Sequence, residues 1–298
     1  MSTLVLYTIP PSVWASAARL AIYELGYEDD VKFKDVNLAQ GENFHPEFLA
    51  KNPNGTLPTL ETPEGTLTNT TDVIKYLVEH ASKEVKTSDV TLIESLHSDA
   101  LDPNFAKQMA RTEEELAAKS HAFLLAFLEG RQRALEEQSA RPEGAPYKDF
   151  YDAKKASNGD FLAIVNGSAP SDVKQVLFDK AKALHENLRS FIYDELPRIL
   201  PNPCSGSDML CETSSDMPWE TNSGSDHFLG GDLPGEADFH LAAWLARIFS
   251  TCGADAAGDA SEKSKAAFGG QLPPSVLEYW NAWVARPSWG KVYGQGLH

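Results

Sequence analysis

The stretch Asn52-Pro-Asn-Gly-Thr-Leu-Pro-Thr-Leu sets a proline, Pro58, inside residues otherwise suited to a strand. Proline gives no ladder hydrogen bond, so Pro58 belongs at a sheet edge or in a special turn. A cis Leu57-Pro58 bond would turn the Leu57 amide and carbonyl outward, where a peptide can pair with them as an added strand. A trans proline that merely ends the strand is the plainer alternative. Soon after comes Asn69-Thr-Thr-Asp-Val-Ile-Lys-Tyr-Leu, in which Thr70 opens a helix. The free amides and positive dipole end there favour a carboxylate, and a simple N-cap role for Thr70 is compatible with that. A third hydroxyl, Ser12, stands where an N-cap would for an earlier helix, so it faces whatever anion that helix end holds.

The elements that must position these residues are legible from periodicity. Thr3 to Thr8 is a short apolar run that reads as a buried strand, ended by Ile9-Pro10-Pro11. Ala15, Ala18, Ala21, Ile22 and Leu25 then recur at helical spacing until Gly26 closes the helix. Val31 to Val36 alternates as a half-buried strand. Leu57 to Glu61 and Thr66 to Thr68 form two more strands around the Thr62-Pro-Glu-Gly65 turn, and Asp72 to His80 is helical. The order βαβ, a loop and helix, then ββα predicts a thioredoxin-like α/β domain over residues 1–82. Ala81 to Asp89 is charged and aperiodic, as a linker should be. Beyond it only helical patterns remain, so 90–298 reads as an all-α bundle. In it Val173, Val176, Leu177, Ala181, Leu184, Leu188, Phe191, Ile192 and Leu196 trace one apolar face, and Ala237 to Phe249 and Val276 to Val284 behave likewise. A long polar loop, 201–227, interrupts the bundle and reads as mobile.

The two segments around Pro58 and Thr70 resemble the glutathione-site signature of glutathione transferases, NPxGxxPxL followed by L-x-[EQ]-S-x-x-I-x-x-Y-L. The resemblance implies that Leu57, beside Pro58, pairs with the cysteinyl backbone of glutathione and that Thr70 takes the position of the family's serine at the γ-glutamyl carboxylate. Asn69 departs from the usual Glu or Gln, keeping the amide on a shorter arm. His45 and the hydroxyl of Thr56 are candidates for the glycyl carboxylate, a surface histidine with no task being the alternative for His45. Counting back from Gly26, Ser12 falls where the tau and omega classes carry their catalytic Ser or Cys, which makes it the expected thiolate stabiliser. Tyr7, inside the first strand, and Ser16, one turn deeper in the helix, are its rivals. No cysteine precedes Cys204, so a mixed disulfide with glutathione at this site is excluded.

Phe228-Leu-Gly-Gly-Asp-Leu-Pro-Gly-Glu-Ala-Asp-Phe-His-Leu resembles the family's second signature, FLxGxxxSxADxxL, with Gly235 in place of the capping Ser and Asp238 retained in a structural role. Over its whole length the chain is similar to the fungal-specific class A, ligandin-type transferases of wood-decay basidiomycetes. That similarity implies transfer of glutathione to apolar or aromatic electrophiles in xenobiotic or wood-extractive detoxification. Carriage of aromatic plant compounds without turnover and an adaptor role are the alternatives. Trp14, Phe123, Phe127 and Trp289, with Tyr293, are the candidates for the second-substrate wall. The resemblance also implies a homodimer.

Composition narrows the partners. A net charge of -17 with no clustered Lys/Arg repels a phosphate backbone, so nucleic acid is not expected. The N-terminal residues lack a basic region and are broken by Pro10 and Pro11, and no apolar run approaches the ~20 residues of a membrane span. Neither signal peptide nor membrane anchor is expected. Three cysteines, Cys204, Cys211 and Cys252, have no metal-ligand spacing. A cytoplasmic protein without a metal is the expectation, with glutathione as co-substrate.

Overall fold

The computed structural model describes residues 4–87, 90–119, 124–201 and 226–298. Phe123, Cys204, Cys211 and nearly all of the 201–227 loop lie outside the described residues.

The first domain is thioredoxin-like. Strand β1 (Leu4–Thr8) leads to helix α1 (Val13–Leu25), whose C-cap Gly26 takes the left-handed conformation at φ 81 that glycine adopts without a Cβ penalty. The chain returns as β2 (Val31–Asp35), makes a short helix α2 (Pro46–Leu49), then forms β3 (Thr59–Thr62), β4 (Gly65–Leu67) and helix α3 (Thr70–Glu79). The sheet order is β2-β1-β3-β4, with β1 parallel to β2 and antiparallel to β3. Leu6 lies opposite Phe33 on one side and Leu60 on the other, so the apolar face of the sheet meets α1 and α3. Thr62 holds the β3–β4 turn: its hydroxyl accepts the Glu64 and Gly65 N–H groups and donates to the Gly65 carbonyl at 2.9 Å.

Both hairpin strands differ by a residue or two from the periodicity. β3 starts at Thr59 rather than Leu57, because Leu57-Pro58 lies outside the ladder, and β4 ends at Leu67, where the Thr68 carbonyl turns to the Asn52 and Thr56 side chains.

The second domain is helical: α4 (Val90–Leu96), α5 (Pro103–Gln108), α6 (Glu113–Lys119), α7 (Leu125–Ala140), α8 (Lys148–Val165), α9 (Ser171–Ser190), α10 (Leu196–Ile199), α11 (Glu236–Thr251), α12 (Ala260–Phe268), α13 (Pro274–Val284) and α14 (Pro287–Tyr293). Helix α11 is the axis of the bundle and is buried nearly all round, with Trp244, Phe239 and Phe249 in the core; it packs on α1, α4 and α5. The apolar face expected from Val173 to Leu196 is corrected at its start, while Phe191, Ile192 and Leu196 are buried as expected. Val173 and Val176 are 41% and 55% exposed, because the buried stripe of α9 runs through Leu177, Phe178 and Ala181 and these two valines lie beside it. At the other end a wider, π-type turn at Phe191–Glu195 separates α9 from α10, where Pro197 has no N–H to return to Tyr193. No helix among the described residues is long and apolar enough to cross a membrane.

Candidate functional site

A cavity of about 1240 Å³ opens between the two domains. Ser12 is on its wall, at the N-cap of α1, with its Oγ accepting the Ala15 N–H at 3.4 Å. No acidic side chain occupies the first turn of α1, so the positive end of the helix is unneutralised. Arg247, from α11, donates to the Pro11 carbonyl and ties the turn before Ser12 to the helical domain. The rival hydroxyls point elsewhere. Ser16 is fully buried, donating to the Pro10 carbonyl and meeting the His298 ring at 3.0 Å. Tyr7 is buried too; its hydroxyl donates to Glu61 at 3.2 Å and accepts from Lys34 at 3.4 Å, away from the cavity wall.

The loop before β3 is built by two buried amides. Asn52 donates to Thr59 Oγ1 at 2.8 Å and to the Thr56 carbonyl at 3.0 Å, while its own oxygen accepts the Asn54 N–H. Asn43 donates to the Gly55 carbonyl at 2.7 Å. Gly55 sits at φ 61, where a Cβ would come within 2.9 Å of the Phe150 ring. The Leu57-Pro58 bond is cis. Among the described residues neither the N–H nor the C=O of Leu57 has an internal hydrogen-bond partner, and Leu57 lines the cavity. Next to it Thr56 lines the cavity, its hydroxyl held between Asn52 and the Thr68 carbonyl.

Asn69, not Thr70, is the N-cap of α3. Its Oδ1 accepts the Asp72 N–H at 2.9 Å and its Nδ2 donates to the Asp72 carboxylate at 2.6 Å. The short arm that departs from Glu or Gln suits this cap and commits the amide to it. Thr70 is therefore the first helical residue; it is buried and lines the cavity beside Asn69 and Thr71.

The facing wall belongs to the helical domain. Trp14 reaches across from α1 and stacks on His97, the residue after α4, ring centroids 3.8 Å apart. His97 Nε2 and His240 Nδ1 of α11 are 2.9 Å apart, so one ring donates to the other. Burial pushes His97 down to about 4, and burial followed by the charge of His97 pushes His240 down to about 3. Phe127 on α7 also lines the cavity, with the Arg131 guanidinium 5.2 Å from its ring.

Residues 6–84 match the family model described as the glutathione S-transferase N-terminal domain. This first domain belongs to the glutathione S-transferase family. The thioredoxin-like domain followed by a helical domain is the glutathione transferase fold. A curated relative, Glutathione S-transferase 2 of Saccharomyces cerevisiae, is 41% identical over 64 residues, a stretch that spans 22% of this chain and 28% of that protein. Among solved structures the chain is similar to Gtt2 from Saccharomyces cerevisiae, at TM-score 0.46 and 17% identity, covering 97% of this chain and 99% of that one. It is also similar to a glutathione transferase homologue from Sulfitobacter with bound glutathione, at TM-score 0.47 and 18% identity, covering 100% of both chains.

Within the transferase fold, Ser12, Thr56, Leu57, Asn69, Thr70, Trp14 and Phe127 come together on one cavity. Of the other candidates among the described residues, His45, Pro58 and Trp289 do not join them. His45 heads α2 exposed to solvent and off the cavity wall, and Pro58 is buried behind Leu57. Trp289 is a correction: α14 packs on α1 and turns this ring inward against Trp280 and Tyr293, at 4.9 and 4.5 Å, so it is core. Tyr293 is buried with it, and the chain end, Leu297 and His298, reaches the cavity instead. Lys107, Lys119, Arg131, Lys154 and Arg247 also line the cavity, and the sequence alone does not single them out. They are scattered singly over α5, α6, α7, α8 and α11, so no local run betrays them. Among the described residues no group of three or more His, Cys, Asp or Glu side chains could hold a metal ion.

Behind the site, Asp238 secures the start of α11. Its carboxylate accepts the N–H groups of Leu229 at 3.0 Å and of Gly230 and Gly235 at 2.8 Å. Burial pushes it up to about 6 against those bonds. The glycine at 235 has a steric reason: a Cβ there would meet the Lys86 carbonyl at 2.7 Å. The histidine pair and Asp238 respond oppositely to acid. Unfolded histidines protonate near 6.5 while folded His97 waits until about 4, so their stabilisation is lost as pH falls through that window. Asp238 gains a proton in the folded state first, below about 6, and gives some stability back. Burial lowers His298 to about 4 as well, so from pH 7 to pH 5 His97, His240 and His298 each cost about 2 kcal/mol, Asp238 returns about 1, and a net loss of about 4–5 kcal/mol is expected in denaturant titrations. An equal or higher midpoint at pH 5 contradicts this.

Proposed function

We propose that the chain is a glutathione transferase in which Ser12 stabilises the glutathione thiolate and the helical domain receives an aromatic electrophile. The observation that carries the reading is that the cap hydroxyl of Ser12, the free backbone edge of Leu57 and the start of α3 at Thr70 share one cavity wall. In this reading Leu57 pairs with the peptide backbone of glutathione, the first turn of α3 takes the γ-glutamyl carboxylate, and Thr56 serves the glycyl end. The thiolate attacks the electrophilic carbon, the leaving group departs with its electron pair, and the thiol proton passes to water. Trp14 and Phe127 would border the acceptor. His45, Pro58 and Trp289 take no direct part.

Calorimetric titration with glutathione, followed by conjugation to 1-chloro-2,4-dinitrobenzene, tests the proposal. Micromolar to low-millimolar binding with turnover is expected, and absence of both removes it. A second reading, carriage of a bulky ligand with little turnover, is favoured by a cavity volume above the roughly 300–1,000 Å³ of ordinary small-molecule pockets. Displacement of a bound dye by flavonoids without any conjugation would select it. A homodimer in the cytoplasm completes the proposal, and light scattering that gives a monomer mass would remove the dimer.

A further inference from the structure

Two prolines in a row, Pro10 and Pro11, bring the chain to Ser12 at the head of α1. Neither has an N–H, so among the described residues one backbone bond closes this turn, from the Ser12 N–H to the Ile9 carbonyl at 3.0 Å. The Pro10 and Pro11 carbonyls are left to side chains. Ser16 donates to the first at 3.3 Å, and Arg247 donates to the second from α11. The Ser12 side chain is held only loosely by its own cap, because the Ala15 N–H lies 3.4 Å from its Oγ, long for such a bond. Where that oxygen stands is therefore set by the backbone of the turn.

Stability does not call for an arginine at 247. The residue is 6% exposed, on a helix whose neighbouring Ile248 and Trp244 are core. Among the described residues it makes no ion pair and its Nε has no partner. Burial lowers its pKa, and the charges of Tyr293 and Asp102 return only part of that. An apolar side chain of similar volume would fill the position without a dehydrated charge. What arginine adds is reach to the Pro11 carbonyl from a fixed reference. Asp238 secures the start of α11, and Trp244, one turn before Arg247, donates to the Leu101 carbonyl at 2.8 Å. We propose that Arg247 is a positioning residue for Ser12: it clamps the Pro11 carbonyl so that the cap hydroxyl meets the glutathione sulfur and keeps it as thiolate. The inference rests on the transferase reading, with Ser12 at the sulfur.

A double-mutant cycle on the full chain tests this, read by kcat with 1-chloro-2,4-dinitrobenzene, by glutathione affinity in calorimetry and by the ultraviolet absorbance of the bound thiolate against pH. Arg247→Met is expected to lower kcat about tenfold and to raise the pKa of the bound thiol by about one unit, since small displacements of a reacting group are costly. Glutathione should still bind within about twofold of the wild-type affinity, because its backbone contacts are elsewhere. In the Ser12→Ala background the same change should cost less than about twofold, because the hydroxyl it positions is gone. If the methionine variant does not fold, Arg247→Gln carries the same cycle: its amide ends where the Arg247 Nε stands, short of the Pro11 carbonyl. An equal loss in both backgrounds overturns the proposal, since Arg247 would then act by its own charge or through the fold at large. So does a wild-type kcat in Arg247→Met. A loss of glutathione affinity with kcat unchanged also overturns it, and would make Arg247 a ligand contact. Failure of the transferase reading looks different: the wild-type chain would neither bind nor conjugate glutathione, and this inference would go with it.

Discussion

Replacing Ser12 by Ala is expected to lower kcat for conjugation about ten- to hundredfold while glutathione binds within about twofold of the wild-type affinity. A free thiol near pKa 8.5 supplies little nucleophile at neutral pH, and lowering it by two units takes about 2.7 kcal/mol. One hydrogen bond to a charged acceptor supplies about 1.5–3 kcal/mol, and an unneutralised helix end adds about 0.3–1. The first of these is what the alanine removes, and the loss falls on the thiolate rather than on the peptide contacts at Leu57 and Thr70. Ser12 is also a helix cap, so a slow variant could merely be a loosened one. Ser12→Gly separates the roles: glycine costs a cap only a few tenths of a kcal/mol, so it should keep the unfolding midpoint and still lose the rate. In both variants the pH profile of kcat/KM should shift toward the pKa of free glutathione. Tyr7→Phe is the control and should leave the rate unchanged, because the Tyr7 hydroxyl is engaged with Glu61 and Lys34. A wild-type rate in Ser12→Ala removes Ser12 from the mechanism.

What could be read from the sequence was local. The proline at 58, the helix start at 69–70 and the cap-to-glycine span from Ser12 to Gly26 each depend on residues a few positions apart, and their positions in the fold agree with that reading. The short arm of Asn69 also has a local use that the family pattern does not show, since its amide binds the Asp72 N–H and carboxylate as the cap of α3. The placement of Trp289 is not legible in the same way. An aromatic near a chain end gives no sign of which way its helix rolls, and packing of α14 on α1 decides it. The cationic wall was invisible because helices from distant parts of the chain supply one charge each, and only their convergence gives those charges a meaning.

The same long-range convergence joins the two domains at Glu24, and the expected effect of breaking it on stability is the largest among the substitutions. The side chain of Glu24, near the end of α1, is largely covered, and Arg286 at the head of α14 grips it with two bonds, Nε to Oε1 at 2.7 Å and Nη2 to Oε2 at 2.6 Å, while Ser288 donates to Oε1 as well. Burial alone would raise the Glu24 carboxyl; the hydrogen bonds from Arg286 and Ser288 outweigh it and hold the group below its usual 4.5. Arg286→Met leaves a largely buried carboxylate with Ser288 as its remaining hydrogen-bond donor, which should cost about 3 kcal/mol of unfolding free energy at pH 7, the lower end of what breaking a buried pair costs. The sign with pH follows. The wild-type contribution is present above the unfolded pKa and lost as pH falls through the lowered folded value, whereas the variant's carboxyl, held by Ser288 alone, is relieved by taking up a proton. The gap between the two proteins should therefore narrow on acidification below about pH 5. Arg286 also faces the Phe228 ring at 5.4 Å, so part of the loss could be packing. Glu24→Leu in the Arg286→Met background distinguishes these, because it removes the stranded charge and should recover most of the stability if the charge is the cause. No recovery, with a deficit independent of pH, would assign the junction of α1 and α14 to packing around Phe228 instead.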